Sequence, residues 1–400
     1  MTFFPNLRFP GFGGEWIEKK MLEIAEKITD GTHDTPKPVE KGVPYLTAVH
    51  IKDGFVDYDN CYYLKQEIHN DIFKRCNPEK HDLLIVNIGA GTATCALNIV
   101  DYEFSLKNVA LIKPNKNIID GSFLAQVQRK KAQKIFNQLT SGGAQPFLSL
   151  KEIGRLAIVY PPIIEQIKIS SFLTLLDERI QTQRKIIEKL ETLMKESREK
   201  IFLRKIKFKD DNFSKWEEKK LGDILIESNE KSIKNNQYRV ISSTAKGLFY
   251  QDDYFTRDIA SQDNTGYKIL KKEQLVFSPQ NLWLGNINVN IDFEIGLVSP
   301  SYKIFNFNTS LTSYSYCNFF LKTSLMLFEY AQSSIQGASV VRRNLDLNMF
   351  FNIRILLPSI KEQAKITNFL SSIQKKIDIE KQILENLELQ KNFLLANLFV

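Results

Sequence analysis

The 400-residue sequence has few of the residues from which metal centres and disulfide scaffolds are built. Its four cysteines lie far apart and form no CxxC pair, and its four histidines fall in the first hundred residues without HExxH spacing. A zinc ribbon needs paired cysteines, and a disulfide scaffold needs a dense set of them. We therefore expect no metal site and reduced thiols, as in a cytosolic protein.

Long apolar runs are also missing. No stretch of 18 or more apolar residues could span a bilayer, and no basic-then-apolar segment at the start resembles a signal peptide. We expect a cytoplasmic protein with no membrane partner. A hydrophobic content of 43% can bury a sizeable core, and the length favours two to three domains. The net charge of +8 fits an anionic partner, with nucleic acid ahead of a membrane surface, although many basic proteins bind neither.

The sequence repeats its own beginning. "EWIEKK", which contains Trp16, returns as "KWEEKK" with Trp216, at an offset of 200 residues. "PPIIEQIKISSFL" at 161–173 returns as "PSIKEQAKITNFL" at 358–370, at an offset of 197. Two copies of one unit with different loop lengths explain the drifting offset, so we interpret the chain as a duplication of whole domains.

Each copy has two parts. The first part contains short apolar or β-branched runs broken by Gly, Pro, Asn and Asp, which predicts a mixed α+β globule with a substantial sheet. The second part, roughly 162–205 and 359–399, has no glycine or internal proline and predicts one long helix. The expected domains are 1–155, 156–210, 211–355 and 356–400.

The two long helices carry the same heptad pattern, with a polar break at Gln183 and Glu380. Such a pattern, written twice in register, favours a helix pair over an ordinary amphipathic helix. Heptads alone do not distinguish an antiparallel pair within the chain from pairing between chains. The expected seam residues are Ile169, Leu173, Leu176, Ile180, Ile187 and Leu190, and Ile366, Leu370, Ile373, Ile377, Leu384 and Leu387.

Two motifs accompany this organisation: "LRFPGFGGEW" stands at the start, and P-x-x-x-E-Q-x-x-I-x-x-F-L opens each helix. Together they resemble the specificity subunit of type I restriction–modification systems, and the resemblance covers essentially the whole chain. The resemblance implies an α+β fold in which two target-recognition globules, each a mixed sheet with helices, alternate with two long helices that pair as an antiparallel coiled coil. It implies that each globule reads one half of a split DNA target. Gln374 departs from the pattern, since the family usually has an acid there, as at Asp177.

The resemblance also implies the partners. They are double-stranded DNA, two modification (methyltransferase) subunits docked on the helices, and restriction (translocase and nuclease) subunits. S-adenosylmethionine is expected in the modification subunit, with no cofactor and no catalytic residue in this chain. The helices would set the distance between the two half-sites.

Two motifs could indicate an enzyme, but both match the known catalytic or cofactor-binding patterns poorly. "NIGAGTAT" at 87–94 follows an apolar run like a cofactor-binding turn, but the second copy has no such glycines, and no Asn/Asp-Pro-Pro-aromatic tetrapeptide of an adenine methyltransferase is present. "EEK" at 217–219 resembles part of a nuclease motif, yet we interpret it as the charged start of a helix. A single-chain DNA methyltransferase or restriction enzyme, and a coiled-coil scaffold without a DNA role, remain the alternatives.

Candidate DNA contacts are polar and basic residues in the non-helical parts of each globule. Arg pairs with guanine and Asn or Gln with adenine, while Lys and Arg neutralise phosphates. Trp16 and Trp216 are instead expected to be core anchors, and Phe172 and Phe369 packing residues. The candidates are Thr32, His33, Lys37, Lys52, Asn87, Thr92 and Gln145 in the first globule, and Ser243, Thr244, Lys246, Tyr267, Gln280, Asn281, Trp283, Arg342 and Arg343 in the second.

Overall fold

The structure is a computed structural model that describes residues 2–140, 146–208, 215–254, 263–336 and 343–400. The chain divides into two compact units, residues 1–185 with 381–400 (unit 1) and residues 186–380 (unit 2). The part of each unit outside the two long helices is called its globule. The four predicted domains, with boundaries at residues 155, 210 and 355, stay a prediction. The two compact units do not follow these boundaries, because each long helix contributes residues to both units.

The first globule and the helix that follows it contain eleven strands and five α-helices within the described residues. The strands are β1 (Ile17–Lys20), β2 (Ala25–Asp30), β3 (Val43–Thr47), β4 (Ile51–Lys52), β5 (Phe55–Val56), β6 (Tyr62–Leu64), β7 (Leu83–Val86), β8 (Cys95–Leu97), β9 (Ser105–Lys107), β10 (Val109–Pro114) and β11 (Ala157–Tyr160). The helices are α1 (Met21–Ile24), α2 (Gln66–Arg75), α3 (Gly121–Thr140), α4 (Leu150–Arg155) and the long α5 (Ile163–Phe202).

The second globule and its helix continue the numbering. The strands are β12 (Glu217–Lys220), β13 (Leu225–Ser228), β14 (Ile241–Thr244), β15 (Gly247–Tyr250), β16 (Lys268–Lys271), β17 (Leu275–Phe277), β18 (Ile287–Val289), β19 (Ile295–Val298), β20 (Lys303–Phe307), β21 (Ser334–Gln336), β22 (Arg343–Leu345) and β23 (Arg354–Leu357). The helices are α6 (Leu221–Ile224), α7 (Gln251–Tyr254), α8 (Tyr314–Phe320), α9 (Ser324–Gln332), α10 (Leu347–Phe351) and the long α11 (Ile360–Leu398).

The duplication seen in the sequence is a duplication of the fold. Each globule has a four-stranded antiparallel sheet, in the order β2-β10-β7-β8 in the first and β13-β20-β17-β18 in the second. The predicted α+β fold is confirmed, with sheets in the globules and one long helix after each. Beyond this shared sheet the globules differ: the first adds the β6-β3-β9 sheet, and the second adds separate two-stranded pairs.

The interpretation of "EEK" as the start of a helix is wrong. Glu217–Lys220 forms β12, which pairs antiparallel with β23, just as β1 pairs with β11. The partner strand in each case leads directly into the long helix. Pairing with a distant strand overrides the local preference of this charged stretch, as is common for strands.

The segments of the two long helices within each unit pack in opposite directions. In unit 1, Asp177 bonds to Lys391 and Arg184 bonds to Glu388, so contacts move backward along α11 as they move forward along α5. In unit 2, Ile201 and Ile366 belong to one buried cluster. All of the expected seam residues are buried or half-buried, and so are Gln183 and Glu380 at the polar break. This is the antiparallel coiled coil of the predicted fold.

A buried glutamine joins each globule to its helix. The Gln166 amide oxygen accepts a hydrogen bond from the Asp120 N–H at 2.8 Å, and its nitrogen donates to the carbonyls of Pro161 and Ile118 at 2.8 and 3.0 Å. Its side chain thereby satisfies three buried backbone groups where β11 ends and α5 begins.

The second copy repeats this join with Gln363. Its nitrogen donates to the carbonyls of Leu311 and Pro358, and its oxygen accepts from the Thr312 hydroxyl and the Ser313 N–H. Both glutamines are fully buried. The repeated "EQ" therefore has a structural reason, since it fixes the direction in which each long helix leaves its globule.

Aromatic residues mark the same repetition. Trp16 is buried and Trp216 is half-buried beside the core of unit 2. Phe172 packs edge-on against Phe9 at 5.6 Å, although more than a third of its own surface is exposed. Phe369 packs in the same way against Phe208, at 5.8 Å.

Among the described residues, no helix is long and apolar enough to cross a membrane.

Candidate nucleic-acid interface

Three candidates of the first globule meet around Asn108, between β9 and β10. The Asn108 N–H donates to the Thr32 carbonyl at 3.2 Å, and its own carbonyl accepts from the Asn87 N–H at 3.3 Å. Its side-chain oxygen lies 3.2 Å from His33 Nδ1, while His33 Nε2 lies 2.8 Å from Asp30. Asn108 has a φ of +54°, which asparagine tolerates better than most residues. The sequence analysis missed Asn108, whose isolated position gives no periodic signal.

Within this group His33 is the exposed side chain, and the others mainly shape the backbone. The Thr32 hydroxyl accepts from the Asp34 N–H at 3.1 Å. Thr92 is buried, and its hydroxyl donates to the carbonyls of Gly89 and Pro146 at 2.7 and 3.1 Å. Asn87 is 1% exposed, and among the described residues neither polar atom of its side chain has a hydrogen-bond partner. A buried amide without partners costs stability.

The remaining candidates of the first globule lie elsewhere. Lys37 is exposed between β2 and β3. Lys52 is exposed on β4, at the rim of a cavity of about 440 Å³ that Arg129 and Lys391 also line. Gln145 lies outside the described residues.

The glycine turn at 89–91 is the connection of a hairpin. It joins β7 to β8, which pair antiparallel. A dinucleotide or S-adenosylmethionine cradle needs a strand followed by a helix whose N-terminus faces the ligand. The observed strand–turn–strand arrangement lacks that helix, so this turn belongs with the loops of the globule.

Candidates of the second globule form a buried polar network at β14 and β18. Ser243 donates to Asn286 Oδ1 at 2.6 Å and accepts from Asn288 Nδ2 at 2.8 Å. Asn288 Oδ1 in turn accepts from Lys322 Nζ at 2.8 Å. Asn286, Asn288 and Lys322 were missed by the sequence analysis. The alternating asparagines of "GNINVN" at 285–290 were the available signal, because a period of two places them on one face of a strand.

Arg343, at the start of β22, packs against Trp283 of the loop between β17 and β18. The Arg343 guanidinium lies 4.4 Å from the centre of the Trp283 ring, a cation–π contact. Among the described residues, Trp283 Nε1 and Arg343 Nε have no hydrogen-bond partner. Asn281 closes this loop through backbone bonds to Ser278 and Leu284. Gln280 is exposed beside them.

The other candidates of the second globule occupy two turns. Thr244 closes the β14–β15 hairpin by donating to the Gly247 carbonyl at 3.1 Å, and Lys246 is exposed at its tip. Tyr267 is half-buried in a different loop, where its carbonyl accepts from the Ser232 N–H. Arg342 lies outside the described residues. The structure thus joins Ser243 to the β17–β18 loop through Asn286, and that loop to Arg343 through Trp283.

Raising the pH from 7 to 10 should stabilise the protein relative to its Lys322→Met variant. Burial, helped by the nearby Arg198 and opposed by Asp292, lowers the pKa of Lys322 to about 8. In the unfolded chain the pKa of lysine is about 10.4, so between pH 8 and 10 the unfolded state binds more protons and stability rises with pH, by up to about 3 kcal/mol. The measurement is chemical unfolding at several pH values. Lys246→Met, which removes an exposed lysine, is the control, and parallel pH profiles for the wild type and the Lys322 variant would contradict the expectation.

Clusters of candidate metal ligands are not seen in the part of the chain that the structure describes. No group of three or more His, Cys, Asp or Glu residues there could hold a metal ion. Burial raises the pKa of the Cys76 and Cys317 thiols to about 12, so both are protonated at neutral pH and are poor nucleophiles.

Comparison with known proteins agrees with this architecture. The family model described as the type I restriction modification DNA specificity domain matches twice, at residues 13–192 and 213–389. A Methanocaldococcus jannaschii protein provisionally named as the type I restriction enzyme MjaX specificity subunit is 23% identical over 94% of this chain and 91% of its own. The type I restriction enzyme MjaIX specificity subunit of the same organism is also 23% identical, over 69% of each chain.

Solved structures share the fold. The crystal structure of the S subunit of a type I restriction–modification system from M. genitalium superimposes with a TM-score of 0.61 at 17% identity, covering 100% of this chain and 99% of that one. A chain from a structural study of complex assembly and conformational transition of the type I restriction–modification system gives a TM-score of 0.51 at 14% identity, covering 98% of both.

Proposed function

Because this chain belongs to the family of type I restriction modification DNA specificity domains, we propose that it selects the DNA sequence on which a type I restriction–modification complex acts. Each globule reads one half of a split target. The observation that carries this proposal is the double match of the family model, in which each matched range contains one globule and most of the helix that follows it.

The division of labour in the complex follows from the same proposal. This chain performs no chemistry and determines where chemistry takes place. Two modification subunits dock on the long helices and transfer a methyl group from S-adenosylmethionine to adenine N6, and restriction subunits join them on double-stranded DNA. The helices set the separation of the half-sites. The differences between the two globules outside the shared sheet support two different half-sites.

The charge of the chain supports a nucleic-acid partner. With a net charge of +8, binding should release counterions from the phosphates and weaken steeply with salt. The test is the affinity of the assembled complex, made with its modification subunit, for duplex DNA between 50 and 200 mM salt, where about 6–10 phosphate contacts would change it by ~10³–10⁵. A soluble, assembled complex without DNA affinity at any salt concentration would favour the scaffold alternative.

Arg343→Gln is expected to weaken binding of the cognate target about 10- to 100-fold while binding of unrelated DNA changes little. A guanidinium held against the Trp283 ring is pre-oriented for paired hydrogen bonds to guanine, and such a pair contributes about 1–3 kcal/mol of discrimination. The measurement is competition binding with target and scrambled duplexes. The control is Arg354→Gln, which removes the same charge from a side chain that is 76% exposed and paired with Glu218. Equal losses for the two variants would show that Arg343 contributes charge alone.

A further inference from the structure

Unit 1 contains an ionic cluster in its helix seam. Asp177 of α5 bonds to Lys391 of α11 and accepts a hydrogen bond from Arg129 of α3 at 2.6 Å. We call these three residues the ionic triad. The side chains of Arg129 and Lys391 are 6% and 9% exposed and that of Asp177 is 18% exposed, so all three charges are largely withdrawn from water. Arg129 is held further by two bonds to Asp53, at 2.8 and 3.0 Å.

The second unit has no such charges at the corresponding positions. The repeat offset of 197 carries Arg129 onto Met326, Asp177 onto Gln374, and Lys391 back onto Met194. The offset is fixed structurally by two matching ring contacts, Phe123 with Phe399 in unit 1 and Phe320 with Phe202 in unit 2, both at 5.3 Å.

Two of the three replacements are apolar and the third is uncharged. Met194 and Met326 are buried in the same cluster of unit 2. Gln374 is exposed and donates instead to Asp378 of its own helix, at 2.9 Å. The two ends of an otherwise repeated seam are therefore chemically different, one ionic and one apolar.

This difference matters because a duplicated helix can pair with a copy of itself. If α11 paired with α11 of a second chain, each Lys391 would face Gln374 and Met326 and would be buried without a carboxylate. If α5 paired with α5, each Asp177 would face Met194 and would lose its lysine, keeping only its bond to Arg129. A buried charge left without its partner is strongly unfavourable, whereas the pairing of α5 with α11 leaves no such charge.

We propose that the ionic triad is a pairing code that directs α5 to pair with α11 and disfavours pairing of either helix with its own copy in a second chain. A single polar contact at a helix seam is known to fix register and partner in this way. Its consequence is that each helix pair combines α5, which follows the first globule, with α11, which follows the second. Under the proposed function this keeps the two halves of the target different.

The test is chemical cross-linking of the full-length chain. In unit 1 Asp177 bonds to Lys391, so in an α11–α11 pair Gln374 would take the place of Asp177, and the symmetry axis would pass between residues 382 and 383. Glu385→Cys, in a Cys61→Ser background, places an exposed thiol within three residues of that axis. The protein is unfolded, refolded at high concentration, and treated with a short bismaleimide.

Two variants make the ends alike. Arg129→Met with Asp177→Gln and Lys391→Met makes both ends apolar, and Met326→Arg with Gln374→Asp and Met194→Lys makes both ends ionic. Each restores self-complementarity, so each is expected to give about tenfold more covalent dimer than the unchanged seam. Circular dichroism checks that each variant folds. Because the two variants change the seam in opposite chemical directions, the test still stands if one of them does not fold.

The outcome is decided without DNA. Little dimer from the unchanged seam and much from both variants supports the pairing code. If the folded variants cross-link no more than the unchanged seam, the triad is an ordinary structural contact and the proposal is overturned. Neither result bears on DNA binding by the assembled complex, which tests the proposed function separately.

Discussion

Replacing Arg8 by methionine is expected to lower the free energy of unfolding by about 3 kcal/mol, because it leaves a buried carboxylate without its cation. Glu165, at the start of α5, is 1% exposed, and Arg8 holds both of its oxygens, at 2.8 and 2.7 Å. The same guanidinium donates to the carbonyls of Gly13 and Gly14. It therefore ties the N-terminal segment to the first turn of the long helix. Denaturant unfolding measures the effect.

The repeat supplies a matched control. Lys207 occupies the place of Arg8 in the second copy, since "LRF" at 7–9 becomes "IKF" at 206–208, and it is exposed. Lys207→Met removes the same charge with an expected change of about 0.5 kcal/mol or less. Equal effects of the two substitutions would mean that Arg8 stabilises the protein through net charge and not through the buried pair.

Gln166→Leu and Gln363→Leu are each expected to lower the free energy of unfolding by about 3–5 kcal/mol, because each leaves several buried backbone groups unpaired at about 1–3 kcal/mol per group. In unit 1 the groups are the Asp120 N–H and the Ile118 and Pro161 carbonyls. Leucine is close to glutamine in size, so the change removes hydrogen bonds and leaves little cavity. Hydrogen exchange of the Asp120 amide reports the local loss directly.

An exposed glutamine of α11, the helix that also contains Gln363, is the control for these two substitutions. Gln382→Leu on α11 should change the free energy of unfolding by about 0.5 kcal/mol or less, since it lies on the solvent side. If Gln166→Leu and Gln363→Leu were as mild as this control, the glutamines would not be the join between globule and helix. Conservation of the pattern in both copies would then need another cause.

The parts of the structure predicted well from sequence are those written in local periodicity. The long helices lie at 163–202 and 360–398, against an expectation of roughly 162–205 and 359–399. A heptad pattern states which face of a helix is apolar, and the seam residues are indeed the buried and half-buried ones. Short continuous apolar runs such as "DLLIVNI" and "NVALIKP" contain strands β7 and β10, whose apolar residues are buried on both faces of the sheet.

The parts that could not be predicted depend on which distant residues meet. "EWIEKK" has no alternation of apolar and polar residues, and it is a strand only because β11 lies beside it. Ser243 was selected as a polar residue of a non-helical segment available to DNA, yet it is 4% exposed in a network completed by residues more than 40 positions away. Long-range pairing of this kind leaves no mark on the local sequence.

The candidate interface shows the same limit. Sequence chemistry selected Trp283 and Arg343 separately, and the structure stacks them. It selected Thr92 for its hydroxyl, which the structure commits to two backbone carbonyls. The assignment of individual residues to DNA stays a prediction, because residue type indicates what a side chain can bond and not which surface faces the duplex.

The central claim is that this chain chooses a split DNA target, and a methylome map tests it most directly. The chain is expressed with its modification subunit in a host free of adenine methylation, and the genome is sequenced for modified adenines. The account predicts one motif with two short specified blocks around unspecified bases, and exchange of one globule should change one block only. A complex that assembles and remains soluble but modifies no adenine, or that modifies a continuous motif, would contradict it.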